Sequence, residues 1–242
     1  MLAGVLAGVL AAVLGMGPLG PSLGVGTLLQ CQEQLGLRAF VTGTPRCPEA
    51  AKRCFGIVVH VVVEGDAPVV APVWFAEQVA AANRLFATID VGFETLEVRT
   101  EPAERASIAS RSDRDHLGRG EHGTASAPLG VVHVWVVRRL ADVDIAGDEI
   151  RGVHWRDRAD PTRRFIILSS IAGDRTLAHE LGHFFGLPHS RYPESIMNKT
   201  PRDDPPWELR GFHVREYGIM RGRRDAMVAD GTLRDRRRPR PR

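Results

Sequence analysis

AHELGHFFGLPHS, residues 178–190, sets three histidines, a glutamate and two glycines within thirteen residues. On a helix over 176–185, His179 and His183 stand one turn apart and project from the same face. Leu177, Leu181 and Phe184 form the opposite stripe, which can bury against a sheet. Gly186 can end such a helix by taking a positive φ, and the chain then turns to bring His189 back toward the first two rings. Three neutral imidazoles meeting at one point make a zinc site with a fourth position left for water. The bland alternative is incidental histidines, but five fixed positions would coincide by chance in about one chain of this length in 10⁵.

The surrounding segments have the pattern of an α/β domain. GIVVHVVV (56–63) is β-branched and almost wholly apolar, as a strand covered on both faces should be. After Pro72, the residues Phe75, Val79, Ala82 and Phe86 recur at helical spacing and predict a helix of four to five turns. VGFETLEVR (91–99) alternates imperfectly and reads as a second strand, which completes a βαβ unit and implies a partly parallel sheet. VVHVWVV (131–137), IRGVHW (150–155) and FIILSS (165–170) supply a third, fourth and fifth strand. The fifth leads into the histidine segment, where Asp174 or Thr176 could cap the helix.

Residues 100–129 are polar and read as a surface excursion or a rim around a site. Asp113, Asp115 and Glu121 could hold calcium there, but they lack a ligand spacing, and a solvated loop is the plainer reading. His60 and His133 sit within apolar strands and are expected as hydrogen-bonded core residues. His154 is expected as an exposed strand residue rather than a fourth ligand. FHVREYGIMRGRRDAMVADG (212–231) predicts a C-terminal helix with Val214, Tyr217, Met220, Met227 and Val228 inward and Gly231 as its stop.

HELGHFFGLPH resembles the metzincin metallopeptidases, whose motif is H-E-x-x-H-x-x-G-x-x-H, and SIMN (195–198) is similar to the family's Met-turn through Met197. Ser190, directly after the third histidine, looks more like matrixins than astacins or reprolysins. The resemblance spans residues 55–232. It implies a metzincin-like zincin domain with a twisted, mostly parallel five-stranded sheet, a long helix, an active-site helix and a C-terminal helix. It also implies Zn2+ on His179, His183 and His189, Glu180 as general base, Gly186 as hinge, and Met197 beneath the site without touching the metal. The expected activity is that of a zinc metalloendopeptidase. The alternatives are a zinc-binding protein that does not cleave and a zinc amidase acting on cell-wall peptides. In the family an edge strand borders the cleft, and 152–155 is the candidate here, with 199–206 as the wall of the specificity pocket.

The ends of the chain bear on location. Met1 to Gln32 carries no charged side chain, and its 13-residue apolar run (2–14) fits a secretory signal, here placed at 1–29, or an uncleaved anchor. A secreted or periplasmic protein is therefore expected. Residues 30–54 read as an N-terminal segment or short propeptide. Cys47 and Cys54 can close a disulfide; PRCPE (45–49) also resembles the matrixin propeptide cysteine, and an inert thiol is the third option. The net charge of +3 comes from the last nine residues, whose six arginines and one aspartate leave the rest of the chain at −2. Residues 233–242 are thus expected as a disordered tail, and nucleic acid is not an expected partner. The expected partner is a peptide or protein substrate of a monomer with no stable membrane partner.

Overall fold

The computed structural model describes residues 36–119, 130–160 and 163–237. The leader, Cys31 and Glu121 lie outside the described residues. Helical residues 36–42 (α1) precede β1 (Arg53–Glu64), β2 (Ala67–Pro68), α2 (Pro72–Phe86) and β3 (Val91–Glu101). β4 (Ser107–Ile108), α3 (Arg111–Leu117), β5 (Val132–Val137), β6 (Arg139–Leu140), β7 (Gly152–Arg156) and β8 (Arg164–Ser169) follow. α4 (Thr176–Phe184) and α5 (Val214–Ala229) complete the order.

The main sheet runs β3-β1-β5-β8-β7, with β2 turned back on the end of β1. β3, β1, β5 and β8 are parallel, and β7 closes one edge antiparallel to β8. The mostly parallel α/β sheet expected from the sequence is therefore present. Two features go beyond the five expected strands. The two-residue β2 makes the sheet six-stranded, and β4 pairs with β6 in a separate parallel pair. The uneven alternation of 91–99 has a structural cause: the register between β1 and β3 slips after Ile57–Thr95, so that Leu96 is bulged out. Gly56 makes room for it, since a Cβ there would stand 2.2 Å from Leu96 Cδ1.

Alternation divides the sheet into two faces. Phe55, Phe93 and Phe86 pack with Phe185 on the face that carries α2 and α4. Gly152 and His154 of β7 point to this same face. The opposite face carries His60, His133, Trp135 and Trp155, and part of the segment expected to be a loop covers it. Within 100–129, β3 extends to Glu101, and α3 forms with a capping box in which Ser110 and Asp113 each accept from the other's backbone. Asp113 is thus a cap, and Asp115 accepts from Trp155 Nε1 at 2.8 Å; among the described residues neither belongs to a group of ligands that could hold a cation.

The domain is wider than 55–232. Phe40 of α1 is fully buried and packs on Phe75, so the segment before β1 belongs to the core. Cys47 and Cys54 are joined in a disulfide, which takes the Cys47 thiol away from any role at the histidine site. Residues 233–237 do not behave as a tail. Arg234 N donates to Gly130 O, Arg236 N donates to Cys54 O, and buried Asp235 accepts from Cys54 N and from Arg53. The one carboxylate in the arginine run is what lets it dock. α5 is also less regular than its apolar residues suggested: Met220 and Met227 are buried, but Val214 is exposed. Among the described residues no helix is long and apolar enough to cross a membrane.

The two strand histidines form a buried chain. His60 Nδ1 meets Glu101 Oε1 at 3.0 Å, and His60 Nε2 meets His133 Nδ1 at 3.1 Å. With the carboxylate accepting, His60 is an Nδ1–H tautomer whose Nε2 accepts from His133. His60 also stacks on Trp135, and Arg105 closes the far side of Glu101 at 2.6 Å. Burial, and then the neighbouring His60, push His133 down from 6.5 to about 3. Its neutral form is therefore favoured by folding. This contribution is complete above about pH 6.5 and is lost as the pH falls toward about 3. Denaturant unfolding at about pH 7 and about pH 4.5 should show His133→Gln losing less stability on acidification than the parent, by on the order of 2 kcal/mol. Identical losses in the two proteins would contradict this role.

Candidate metal centre

α4 begins without a cap of its own. Arg175 occupies the N-cap position, and neither Asp174 nor Thr176 caps the helix. The cap comes instead from α2, where Gln78 Oε1 accepts from Leu177 N at 2.9 Å and Gln78 Nε2 donates to Gly173 O at 2.6 Å. Trp74 Nε1 adds a bond to Ala172 O. The turn that launches α4 is thus clamped by the long helix. Leu177, Leu181 and Phe184 are buried against the sheet, which turns His179 and His183 outward to the cleft.

The far end of α4 closes in a Schellman motif. Gly186 has φ +91, Gly186 N donates to His183 O at 3.0 Å, and Leu187 N donates to Gly182 O at 2.9 Å. The reversal carries Leu187 O back to His183 Nδ1 at 2.7 Å and delivers His189 two residues later. His179 Nδ1 meets Ile196 O, also at 2.7 Å. A carbonyl oxygen only accepts, so both rings carry their proton on Nδ1 and keep a bare lone pair on Nε2. One ligand atom from each of His179, His183 and His189 lies within 4.8 Å of the others. Burial holds His179 and His189 down to about 4 and lowers His183 as well, so all three are neutral donors at neutral pH.

The turn bearing Ile196 is fixed by groups that the sequence did not single out. Ser195 Oγ donates to Glu216 of α5, and Met197 N donates to Ser195 Oγ. The same Glu216 carboxylate accepts from His213 N and so caps α5. Ile196 N donates to Gly211 O at 2.7 Å. Met197 is fully buried against α4, where a Cβ on Gly182 would stand 2.6 Å from its sulfur. The x positions of the motif are therefore not free: Gly182 must be small for the methionine to lie beneath the helix.

Glu180 sits beside the imidazoles, buried, with Oε2 accepting from His154 N of β7 at 2.7 Å. Burial raises its carboxyl to about 8. Gly152 permits this approach, since a Cβ there would meet Thr176 Cγ2 at 2.8 Å and Glu180 Cγ at 3.1 Å. His154 differs from the exposed residue expected. Its ring is half-buried, edge-on to Phe184 at 5.5 Å, and burial pushes it down to about 3. It lies outside the cluster of three histidines. β7, α4 and residues 196–203 line one continuous cleft over the site, so the candidate edge strand and the 199–203 part of the expected 199–206 wall share the cleft with the histidines.

Comparison with known proteins agrees with the resemblance read from HELGHFFGLPH. The matrixin family model matches residues 136–210, which run from β5 through the three histidines and the Met197 turn. The likeness to metzincins, and to matrixins among them, holds over that stretch. No curated protein matches the chain. Among solved structures, archaemetzincin from Methanopyrus kandleri is similar at 13% identity and a TM-score of 0.47, over 74% of this chain and 98% of that one. Metalloproteinase-II from Bacteroides fragilis is similar at 12% identity and 0.49, over 74% of this chain and 56% of that one. A promirolysin mutant from Tannerella forsythia is similar at 15% and 0.42, over 67% and 62%.

Gly186 offers a direct check on how the site is assembled. A Cβ there would meet Arg223 Cγ at an ordinary 3.5 Å, so the cost of Gly186→Ala is conformational rather than steric. Denaturant unfolding should show a loss of about 1–2 kcal/mol. Unchanged stability would mean that the turn does not need its positive φ.

Proposed function

We propose that the chain is a zinc-dependent metalloendopeptidase. The observation that carries this reading is the convergence of three neutral imidazoles, two with tautomers fixed by backbone carbonyls, beside a buried glutamate. The donor set fits zinc: nitrogen ligands without carboxylates disfavour calcium and magnesium, and an all-imidazole site leaves a position for water. His179, His183 and His189 would hold the ion. Zinc bound there supplies Lewis acidity, which makes water a usable nucleophile near neutral pH and polarises a carbonyl.

The protein's own groups supply the rest. Glu180 acts as the base that takes the proton from the attacking water and returns it to the leaving amine; a divalent cation on the neighbouring imidazoles would favour its ionised form against the burial that raises it. His154 N–H holds that carboxylate in place across the cleft. Among the described residues β7 pairs only with β8 and so offers its outer edge to an extended peptide, which would add as a further antiparallel or parallel strand. Met197 and Gly182 support the floor without entering the reaction. Export is part of the proposal, and the Cys47–Cys54 disulfide favours it, since such bonds persist in oxidising compartments.

Metal analysis should find one equivalent of zinc per chain. Glu180→Ala should keep that zinc yet cleave peptides at least about 10²-fold more slowly. Cleavage at the parental rate would remove Glu180 from the mechanism, and zinc binding without any cleavage in the parent would leave a binding protein instead.

A further inference from the structure

The charges around the cleft are unevenly matched. Arg151 precedes β7, Arg156 ends it, Arg158 follows, and Lys199 and Arg202 line the cleft from the segment after the methionine turn. None of these five forms an ion pair with another described residue. Of the cleft's rim acids, Asp144 pairs with Arg111, and Asp142 accepts from the N–H groups of Asp144 and Ile145; that leaves Asp203 as one exposed carboxylate against the five cations. Beneath the rim, Arg114 is buried with its cation over the Trp155 ring. One N–H of Arg114 goes to Ala141 O, while its Nε has no partner among the described residues.

Lys199 lines the cleft next to the turn that positions His179. It follows directly on the 195–198 turn whose Ile196 carbonyl anchors His179, so its backbone is fixed by the same bonds that set the site. Its charge bears on His179, His183, His189 and Glu180 alike. The side chain itself is exposed, free to reorient toward a ligand.

We propose that the cleft selects acidic peptides, and that Lys199 is a specificity residue that pairs with a substrate carboxylate beside the scissile bond. The inference rests on the peptidase reading above and adds the substrate class to it. A neutral peptide would leave the rim cations solvated and gain nothing from them. A glutamate or aspartate in the peptide would exchange water for an ion pair in a cleft already partly desolvated by Arg114, Trp155 and the peptide itself. Basic peptides would meet like charge along the cleft.

The test uses the zinc-loaded full chain and a positional peptide library carrying Glu, Gln or Lys at each place around the cleaved bond. At one of the positions flanking the bond, the Glu:Gln ratio of kcat/KM should be at least about fivefold, and it should shrink with added salt. Lys199→Glu should bring the ratio to one or below, and Lys199→Arg should retain it. Because each ratio is taken within one protein, the fraction folded cancels. Equal cleavage of Glu and Gln peptides by the parent would overturn the acidic preference while leaving the peptidase reading intact. A ratio unmoved by Lys199→Glu would overturn the assignment to Lys199. Failure of the zinc-loaded parent to cleave any peptide would overturn the peptidase reading, and the inference with it.

Discussion

His179 and His183 each give their Nδ1 proton to a backbone carbonyl, and nearly every other feature of the site serves to put those two carbonyls in place. An imidazole can donate from either nitrogen, and a metal site needs the one facing inward to be bare. Leu187 O settles this for His183, and Ile196 O for His179. These two acceptors reach the helix from different directions. One arrives through the Schellman reversal at Gly186 and the other through a turn twenty residues downstream of the helix start, held by α5.

The same dependence explains why buried polar groups recur around α4. Gln78 replaces the missing N-cap and ties the helix to α2. Glu216 serves Ser195 and the start of α5 at once, so that the C-terminal helix and the methionine turn are positioned by a single carboxylate. His154 N–H restrains Glu180 from the edge strand. Each of these groups has its hydrogen-bonding capacity spent on backbone or on a neighbour, as burial requires. Rigidity at the histidines therefore depends on contacts from four separate elements, α2, α5, β7 and the 195–198 turn.

Much of this was legible in the sequence, for a physical reason. Period and spacing are local properties, and the three histidines, Glu180, Gly186 and Met197 lie within a twenty-residue window whose offsets a helix and one glycine turn convert into geometry. The strands at 56–63, 131–137 and 165–170 are almost wholly apolar, His60, His133 and two serines apart, and this marks them as buried strands. What escaped was set by tertiary partners. Gln78 looks like an ordinary polar helix residue until Leu177 N needs an acceptor. Gly182 looks like a tolerated helix glycine until Met197 lies against it. The polar stretch after residue 100 hides α3 because its stability comes from the Ser110–Asp113 box and from Leu117 and Arg114 folding onto the sheet. The arginine run conceals Asp235 in the same way, since composition averages over the one residue that docks.

The site depends above all on His179 and His183 being neutral, with bare Nε2 atoms aimed at a shared point. A long-range proton–nitrogen correlation spectrum of the nitrogen-labelled protein at neutral pH, before and after one equivalent of zinc, reads it directly. Nδ1–H tautomers are expected for both residues beforehand, and zinc-induced shifts at one ring nitrogen of His179, His183 and His189 together. Nε2–H tautomers or charged imidazolium rings, or zinc perturbing other histidines instead, would contradict this assignment.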